Sequence, residues 1–314
     1  MHTVPGPTRR LALPFRRALR FAGAALVALT AACDSTAESV VLPEPSVNVV
    51  RVAAGEPNLS TLVTAVQAAN LVATLGGPGP FTVFAPVNAG FAAIPSDQTA
   101  RLLDPANRAL LTKVLTYHVV PGRILASQLT DGQTLTTVQG GTIRVSLAGG
   151  ARVNNARIVR TDVRASNGVV HYIDGVLTEN LDIVDVATLR GFSSLVGAVQ
   201  AAGLTDALRG NGAGQGLTVF APTNAAFAAI PGGAPSDPAV LSQVLRLHVV
   251  PGTALAASLA NGQRLTSLLG PQLTVNIGSG GITLTGPRNT PRVTATDVRA
   301  SNGVIHVLDT VLLP

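Results

Sequence analysis

Four histidines in the body of the chain are the side chains best suited to acid–base or metal chemistry. His118 and His248 each precede Val-Val-Pro-Gly, and His171 and His306 each follow a Ser-Asn-Gly turn sequence. Because imidazole titrates near neutral pH and often binds metals, a catalytic or metal-binding role is one interpretation. Helical periodicity instead places His118 and His248 on an apolar face near a helix C-terminus, where a ring N–H can satisfy a buried carbonyl. We therefore favour structural histidines and expect no metal site.

Asp162 and Asp297 are the next candidates, since each follows a threonine and precedes Val-Arg-Ala-Ser-Asn-Gly. A carboxylate at this position could contact a binding partner. It could also brace the turn by accepting backbone N–H hydrogen bonds, as aspartate does in many turns. The sequence favours the brace and leaves the adhesive role open.

Motifs that carry enzyme chemistry are absent from the sequence. It has no GxSxG nucleophile elbow, no HExxH zinc motif, no GxGxxG turn after a strand and no P-loop. It has one cysteine, so an internal disulfide or a thiolate metal site is excluded. We expect neither enzymatic activity nor a cofactor.

The candidate residues belong to a unit that occurs twice. FTVFAPVNAGFAAIPSD begins at Phe81, and LTVFAPTNAAFAAIPGG begins at Leu217. Each copy opens with the β-branched and aromatic residues of a buried strand, which an Ala-Pro step ends because proline lacks an N–H for the ladder. The asparagine that follows, Asn88 or Asn224, predicts the N-cap of a short helix.

Further elements recur in the same order in both copies. Asp104-Pro105 and Asp237-Pro238 predict the start of a longer apolar helix that ends at HVVPG. TDVRASNGVVHYIDGVL and TDVRASNGVIHVLDTVL predict closing hairpins, in which Asn-Gly would supply the positive φ angles of a tight turn.

The repeat predicts an α+β protein with two tandem domains, at residues 47–180 and 181–314. Hydrophobic residues make up 46% of the chain, a composition typical of folded rather than disordered proteins. Residues 178–181 alone separate the two copies. We therefore expect the domains to abut, with a mostly fixed relative orientation.

Residues 1–32 have the features of an export signal. Arginines come first, then an apolar stretch too short to span a bilayer, then the small residues before Cys33. This ending resembles a bacterial lipobox, which implies cleavage before Cys33 and lipid attachment to its thiol; an ordinary signal with an incidental cysteine is the alternative. Residues 33–46, with two prolines, predict a tether. We expect an exported protein that its lipid anchor holds at a membrane of the cell envelope.

The charge distribution does not point to a nucleic-acid partner. Five of the 22 basic residues precede Cys33, where no acidic residue occurs, and the remainder nearly balance the 16 acidic residues. Aromatic residues are only 3% of the chain, so base-stacking platforms are lacking. Arginines between positions 144 and 164 could form a polyanion surface, although a solvated strand face is favoured.

The chain resembles the fasciclin domain family, because three features occur in that family's order. They are TVFAPxNAxF, an apolar helix that ends in His-Val-Val-Pro-Gly, and SNGVxHxxD. The resemblance covers about residues 46–314, twice over. It implies that each domain is a β-sandwich wedge, two sheets flanked by several short helices. It also implies adhesion at the cell surface or outside the cell, through binding to proteins or glycans, and no enzymatic activity.

In animal members of the family, adhesion is assigned to a Tyr-His stretch and to an Asp-Ile pair before the final hairpin. Leu247 replaces the tyrosine in the second copy, and Arg164 and Arg299 stand where the animal motif has leucine. The resemblance carries the candidate adhesion positions over to Tyr117, His118, Asp162, Val163, His248, Asp297 and Val298.

Together these features predict an exported, lipid-anchored surface protein that binds extracellular protein or glycan ligands through two fasciclin-like domains. A structural envelope component that self-associates is the alternative. A glycan-processing enzyme is less favoured, because the catalytic motifs are absent.

Overall fold

The computed structural model describes residues 45–210 and 214–314. The predicted export signal, Cys33 and nearly all of the tether lie outside these ranges. The described residues belong to one compact unit, which contains both copies of the repeat.

In the first repeat three short helices precede the first strand, three more follow it, and the other strands come after them. Its helices are α1 (Val49–Ala54), α2 (Ser60–Ala68), α3 (Val72–Gly76), α4 (Asn88–Ala92), α5 (Ser96–Leu103) and α6 (Arg108–Tyr117). Its strands are β1 (Phe81–Pro86), β2 (Val119–Pro121), β3 (Thr134–Thr136), β4 (Thr142–Ser146), β5 (Arg152–Val153), β6 (Ala156–Ala165) and β7 (Gly168–Ile173). Short 3-10 turns lie at Pro57–Leu59, Pro105–Asn107 and Ala126–Gln128.

The second repeat follows the same order with small differences. Its helices are α7 (Ile183–Arg190), α8 (Ser193–Ala201), α9 (Thr205–Arg209), α10 (Asn224–Ala228) and α11 (Pro238–Leu247). Its strands are β8 (Leu217–Pro222), β9 (Val249–Pro251), β10 (Arg264–Thr266), β11 (Gln272–Gly278), β12 (Gly281–Thr285), β13 (Val293–Ala300) and β14 (Gly303–Leu308), with a 3-10 turn at Ala256–Ser258. Between α10 and α11, where every residue is described, no helix matches α5, because the sequence Pro-Gly-Gly-Ala-Pro breaks helical structure.

The strand of each TVFAP motif is an interior strand of its sheet, next to one edge strand. It pairs in parallel with the last strand of its own repeat, β1 with β7 and β8 with β14. In the first repeat the strands form one sheet in the order β2-β1-β7-β6-β5-β4-β3. In the second they form two sheets, β13-β14-β8-β9 and β10-β11-β12. The predicted α+β class is confirmed.

The first repeat has one continuous sheet and the second has two, and the short strand β5 accounts for the difference. In the first repeat β5 pairs with both β4 and β6, so the ladder is continuous. In the described part of the second repeat, the two sheets are linked through a single bridge between Thr283 and Arg292.

The core is organised around the alternation of side chains along β1 and β8. Phe84 and Phe220 are fully buried and belong to clusters packed against the other sheet strands of their repeats. Ala85 and Ala221, one residue on, face a larger cluster formed with the helices, and that cluster includes residues of both repeats. Both faces of these strands are therefore buried, as their apolar sequence predicts.

The predicted N-caps of α4 and α10 are wrong. Helix α4 already includes Asn88, and its N-cap is Val87. The Asn88 side chain instead accepts a hydrogen bond of 3.0 Å from the N–H of Thr61, in the first turn of α2. Asn224 accepts one of 3.0 Å from Ser194 in α8. Each asparagine caps a helix that precedes it in the chain, a contact that local sequence does not encode.

The predicted start of the longer helix is confirmed in the second repeat and displaced in the first. Asp237 is the N-cap of α11, and its carboxylate accepts a hydrogen bond of 2.8 Å from Ala239 N–H. Asp104 makes the same contact with Ala106 at 2.9 Å, but there it caps a 3-10 turn and α6 begins only at Arg108.

The closing hairpins form as predicted, but their Asn-Gly turns use no left-handed asparagine. The Asn167 side chain donates hydrogen bonds of 2.8 Å and 2.7 Å to the carbonyls of Leu75 and Gly77. It also accepts one of 2.9 Å from Val49 N–H. Gly168 is required by space rather than by φ, since a Cβ there would lie 2.1 Å from a carbonyl oxygen of β1. The turn is thus held by contacts with the helical layer.

Candidate functional site

His118 and His248 are buried at the C-caps of α6 and α11. Nδ1 of His118 lies 2.8 Å from the carbonyl oxygen of Val114, and Nε2 accepts a hydrogen bond of 2.9 Å from Leu177 N–H. Since a carbonyl only accepts, the proton of the neutral ring is on Nδ1. Burial lowers the pKa of both histidines to about 4, so both rings are neutral at pH 7.

The second repeat reproduces these contacts. Nδ1 of His248 lies 2.8 Å from Val244 O, and Nε2 accepts a hydrogen bond of 2.9 Å from Leu312 N–H. Each of the two histidines therefore joins a helix end to the segment after the last strand of its repeat. Both ring nitrogens are used, so neither ring has a free lone pair for a metal.

His171 is in the opposite tautomer to that of His118 and His248. Its Nε2 lies 2.9 Å from the carbonyl oxygen of Ile124, and its Nδ1 accepts a hydrogen bond of 3.2 Å from Asp162 N–H. The ring stacks on Phe84 with 5.5 Å between the ring centroids. The proton is therefore on Nε2, and this ring too is saturated by backbone groups.

His306 has the equivalent environment in the second repeat. Its Nε2 lies 2.8 Å from Ala254 O, and its Nδ1 accepts a longer hydrogen bond of 3.4 Å from Asp297 N–H. It stacks on Phe220, again at 5.5 Å. The structural interpretation of the four histidines agrees with all of these contacts.

Asp162 and Asp297 adopt the left-handed conformation, with φ of 59° and 58°. Each lies at an irregularity in the pairing of its closing hairpin. Their carboxylates accept hydrogen bonds of 2.8 Å from the N–H groups of Ala126 and Ala256. The brace expected from turn chemistry is present, but the amide belongs to an earlier 3-10 turn and not to the hairpin itself. Asp162 is exposed, whereas Asp297 is partly buried.

Tyr117 is buried, and its hydroxyl is part of a hydrogen-bond network. The hydroxyl donates to Thr142 O over 2.7 Å and accepts from the Asn154 amide over 3.1 Å. Burial raises the pKa of Tyr117. Leu247, its counterpart in the second repeat, is also fully buried. The shared position is a core position, and the hydroxyl is specific to the first repeat.

The structure links some of the candidate residues and separates others. Asp162 and His171, which the sequence suggests separately, share a hydrogen bond. In the part of the chain that the structure describes, no hydrogen bond joins this pair to Tyr117. Val163 is half-buried and Val298 is buried. Within the same residues, no group of three or more His, Cys, Asp or Glu side chains is arranged to hold a metal ion.

A charged cluster between the repeats was missed by sequence reasoning. Lys113, the only lysine of the chain, contacts the carboxylates of Asp182 and Asp185. These two aspartates form the capping box of α7. Although burial acts to lower it, the pKa of Lys113 is raised by its hydrogen bonds to the two carboxylates. A lone lysine on an apolar helix is the sequence signal that could have indicated a buried ion pair.

Comparison with known proteins gives the family. The Fasciclin domain model matches residues 57–179 and 190–314. Transforming growth factor-beta-induced protein ig-h3 of Sus scrofa is 36% identical over 249 residues, which are 76% of this chain but 35% of that protein. Protein sll1483 of Synechocystis sp. is 44% identical over 149 residues, which are 46% of this chain and 82% of that protein.

A solved structure of a FAS1 domain pair, from the insect cell adhesion molecule fasciclin I, is similar over 82% of this chain and 97% of that chain. The TM-score is 0.38 and the sequence identity 18%. Across residues 45–210 and 214–314, no helix has the length and apolar character needed to cross a bilayer. On the family match, the chain belongs to the fasciclin domain family and contains two tandem fasciclin domains.

Proposed function

We propose that this chain is an exported adhesion protein that binds an extracellular protein or glycan through its two fasciclin domains. We place the domains at residues 47–180 and 181–314. Membership of the family supports a binding role. The observation that carries the proposal is that all four histidines are saturated by backbone groups. The histidine rings thus hold the fold together, and we propose that the exposed surface acts by binding.

Lipid anchoring at Cys33 is part of the proposal. Cys33 is the only cysteine, so any thioether-linked lipid has a single possible position. The full chain and a Cys33→Ala variant would be expressed in a bacterial host supplied with an alkyne fatty acid. We expect label on the parent chain and none on the variant. Equal labelling of both, or of neither, would contradict the anchor.

Among the candidate adhesion positions, Asp162 is exposed and is the one we propose for direct contact. Asp297 is its partly buried counterpart. Tyr117, His118 and His248 are buried, and we propose that they act indirectly by holding the hairpin and the helix ends.

The test uses Asp162→Asn, which removes the charge and keeps an oxygen that accepts from Ala126 N–H. Beads coated with the parent chain or the variant would be incubated with cells and with extracellular matrix preparations. We expect several-fold weaker binding by Asp162→Asn at an unchanged unfolding midpoint, and no change for the matched Asp297→Asn variant. Unchanged binding by Asp162→Asn would remove this residue from the adhesive surface. Parent beads that bind no better than albumin-coated beads would contradict adhesion itself.

A further inference from the structure

A groove between the two repeats has an apolar floor and two arginines on its walls. Its volume is about 240 Å³. The first repeat contributes residues between α4 and α5, and the second contributes Arg190 at the end of α7 and Arg299 in β13. The floor is aliphatic: Ile94 and Val176 are partly exposed, and Leu181, Val186 and Leu189 are buried. Binding sites are frequent at such junctions between domains.

The two arginines of the groove have no acidic partner among the described residues. Within the described ranges, no Asp or Glu side chain lies at ion-pair distance from either guanidinium, and the groove lining contains no acidic residue. Other cations of the interface are paired, as Lys113 is with Asp182. Both Arg190 and Arg299 are exposed. Among the described residues these two guanidinium groups are therefore available to pair with carboxylates, which arginine binds in a bidentate geometry.

Comparison of the two repeats shows that the positive charge at the position of Arg190 is specific to the second, whereas Arg299 has the counterpart Arg164. Counted from the N-caps of α1 and α7, the position of Arg190 is occupied in the first repeat by Glu56. Glu56 is neutralised by Arg160 at 2.9 Å. The position of Arg160 is occupied in the second repeat by Ala295. Within the described residues, the second repeat therefore has an arginine without an acidic partner where the first repeat has an ion pair.

The shape of the site favours an extended ligand. Arg299 also lines a neighbouring cavity of about 420 Å³, whose walls include Gln215, Thr253 and Ser301. The first cavity is apolar at its floor and the second offers hydroxyl and amide groups. A peptide can bury leucine-sized side chains on the aliphatic floor, and these supply more apolar area than the C–H faces of a hydroxylated glycan.

We infer that this groove binds an acidic peptide segment of a protein partner. Carboxylates of the segment pair with Arg190 and Arg299, and an apolar side chain between them packs on the floor. The surface is different from that of Asp162, so the inference goes beyond the proposed function. Its failure would leave the bead assay of Asp162 unaffected.

The test measures fluorescence anisotropy of a labelled peptide, Ac-Glu-Leu-Asp-Leu-Glu-NH2, titrated with the full chain. We expect saturable binding that weakens as salt is added. The double variant Arg190→Ala/Arg299→Ala is expected to bind at least about tenfold more weakly, since two charge-assisted contacts are lost. Arg164→Ala is the matched control, because it removes the same charge at the equivalent position of the first repeat, and it is expected to bind like the parent.

Two further peptides test the two parts of the site. Ac-Gln-Leu-Asn-Leu-Gln-NH2 lacks the charges and is expected not to bind. Ac-Glu-Ser-Asp-Ser-Glu-NH2 lacks the apolar side chains and is expected to bind several-fold more weakly. Absence of saturable binding, equal binding by the double variant, or equal binding of the serine peptide would each overturn the inference.

Other occupants give different results. A hyaluronan tetrasaccharide that binds more tightly than the leucine peptide, and loses binding in the double variant, would assign the groove to a glycan instead. A dimer that sediments without peptide and dissociates in the double variant would assign it to a second copy of the chain. A second double variant, Arg190→Gln/Arg299→Gln, keeps part of each aliphatic stem, so a loss of binding in both variants at unchanged thermal unfolding is attributable to the charges.

Discussion

Lys113, in α6 of the first repeat, donates a hydrogen bond of 2.9 Å to the carboxylate of Asp182, the N-cap of α7 in the second. The same ammonium group contacts Asp185, which completes the capping box. One side chain therefore contributes both to the contact between the repeats and to the start of the second repeat's first helix.

Replacing Lys113 with methionine should lower the free energy of unfolding by about 2–4 kcal/mol, because two buried carboxylates lose the ammonium group that both contact. The guanidinium of Arg209, 3.7 Å from Asp185, is then the nearest described cation. Urea unfolding at pH 7 measures the change. Lys113→Arg keeps the charge and should recover most of the loss. The deficit of Lys113→Met should shrink in acid as the carboxylates become protonated. Asp185 is protonated first, because burial raises its pKa, and Asp182 last, because its hydrogen bonds, first among them that from Lys113, outweigh burial and lower its pKa. A deficit that is independent of pH would show that lost packing, not charge, is responsible.

Stability should fall on mild acidification because of His118 and His248. Burial lowers the pKa of each from 6.5 to about 4. Between these values the unfolded chain binds protons that the folded chain excludes, so the stabilisation is complete above the unfolded pKa and is lost as the pH falls towards 4. From pH 7.5 to 5 each histidine should account for a loss of about 2 kcal/mol in the free energy of unfolding.

Urea unfolding at intervals across this range gives the slope, and His248→Gln is the control. The variant removes one of the two titrating rings, so its stability should depend on pH about half as steeply, whatever its absolute stability. A parent protein whose stability is constant from pH 7.5 to 5 would contradict neutral buried rings.

Much of the fold follows from local sequence, because the decisive interactions are local. The composition of β1 and β8 indicates buried strands, and Asp237-Pro238 indicates a helix start, since both depend on neighbouring residues. The roles of the asparagines could not be predicted in this way, because their partners are remote. Asn88 bonds to a residue 27 positions away, and Asn167 to one 90 positions away.

The candidate site shows the same difference between local contacts, which sequence predicts, and remote contacts, which it does not. That His118 and His248 satisfy helix carbonyls is predictable, because residue and carbonyl are four positions apart. The link from Asp162 to His171 was missed, although a separation of nine residues recurs between Asp297 and His306. A repeated spacing between two polar residues was the available signal. The groove of Arg190 and Arg299 has no such signal, since it exists only where the repeats meet.

Asn302→Ala should destabilise the second repeat by about 3 kcal/mol, because it leaves several buried backbone groups unpaired. The Asn302 amide donates hydrogen bonds of 2.7 Å to the carbonyls of Leu208 and Gly210, and its oxygen accepts one of 2.9 Å from Ile183 N–H. Urea unfolding measures the loss, and hydrogen exchange should show a less protected Ile183 amide. Asn276→Ala removes a more exposed asparagine and should cost less than about 0.5 kcal/mol. Equal effects of the two variants would contradict the anchoring role.

Gly168→Ala should destabilise the first repeat by about 3 kcal/mol or more, because a Cβ would clash with the backbone of β1. Gly168 is the register partner of Phe81, and a Cβ on it would lie 2.1 Å from the Phe81 carbonyl oxygen. Gly197→Ala is the matched control, because Gly197 lies inside α8 and a methyl group added there would meet no atom within 4 Å. There alanine should raise stability by about 1 kcal/mol through helix propensity. Thermal unfolding midpoints that move in opposite directions are the expected result, whereas a tolerated Gly168→Ala would exclude the close parallel pairing of the first and last strands.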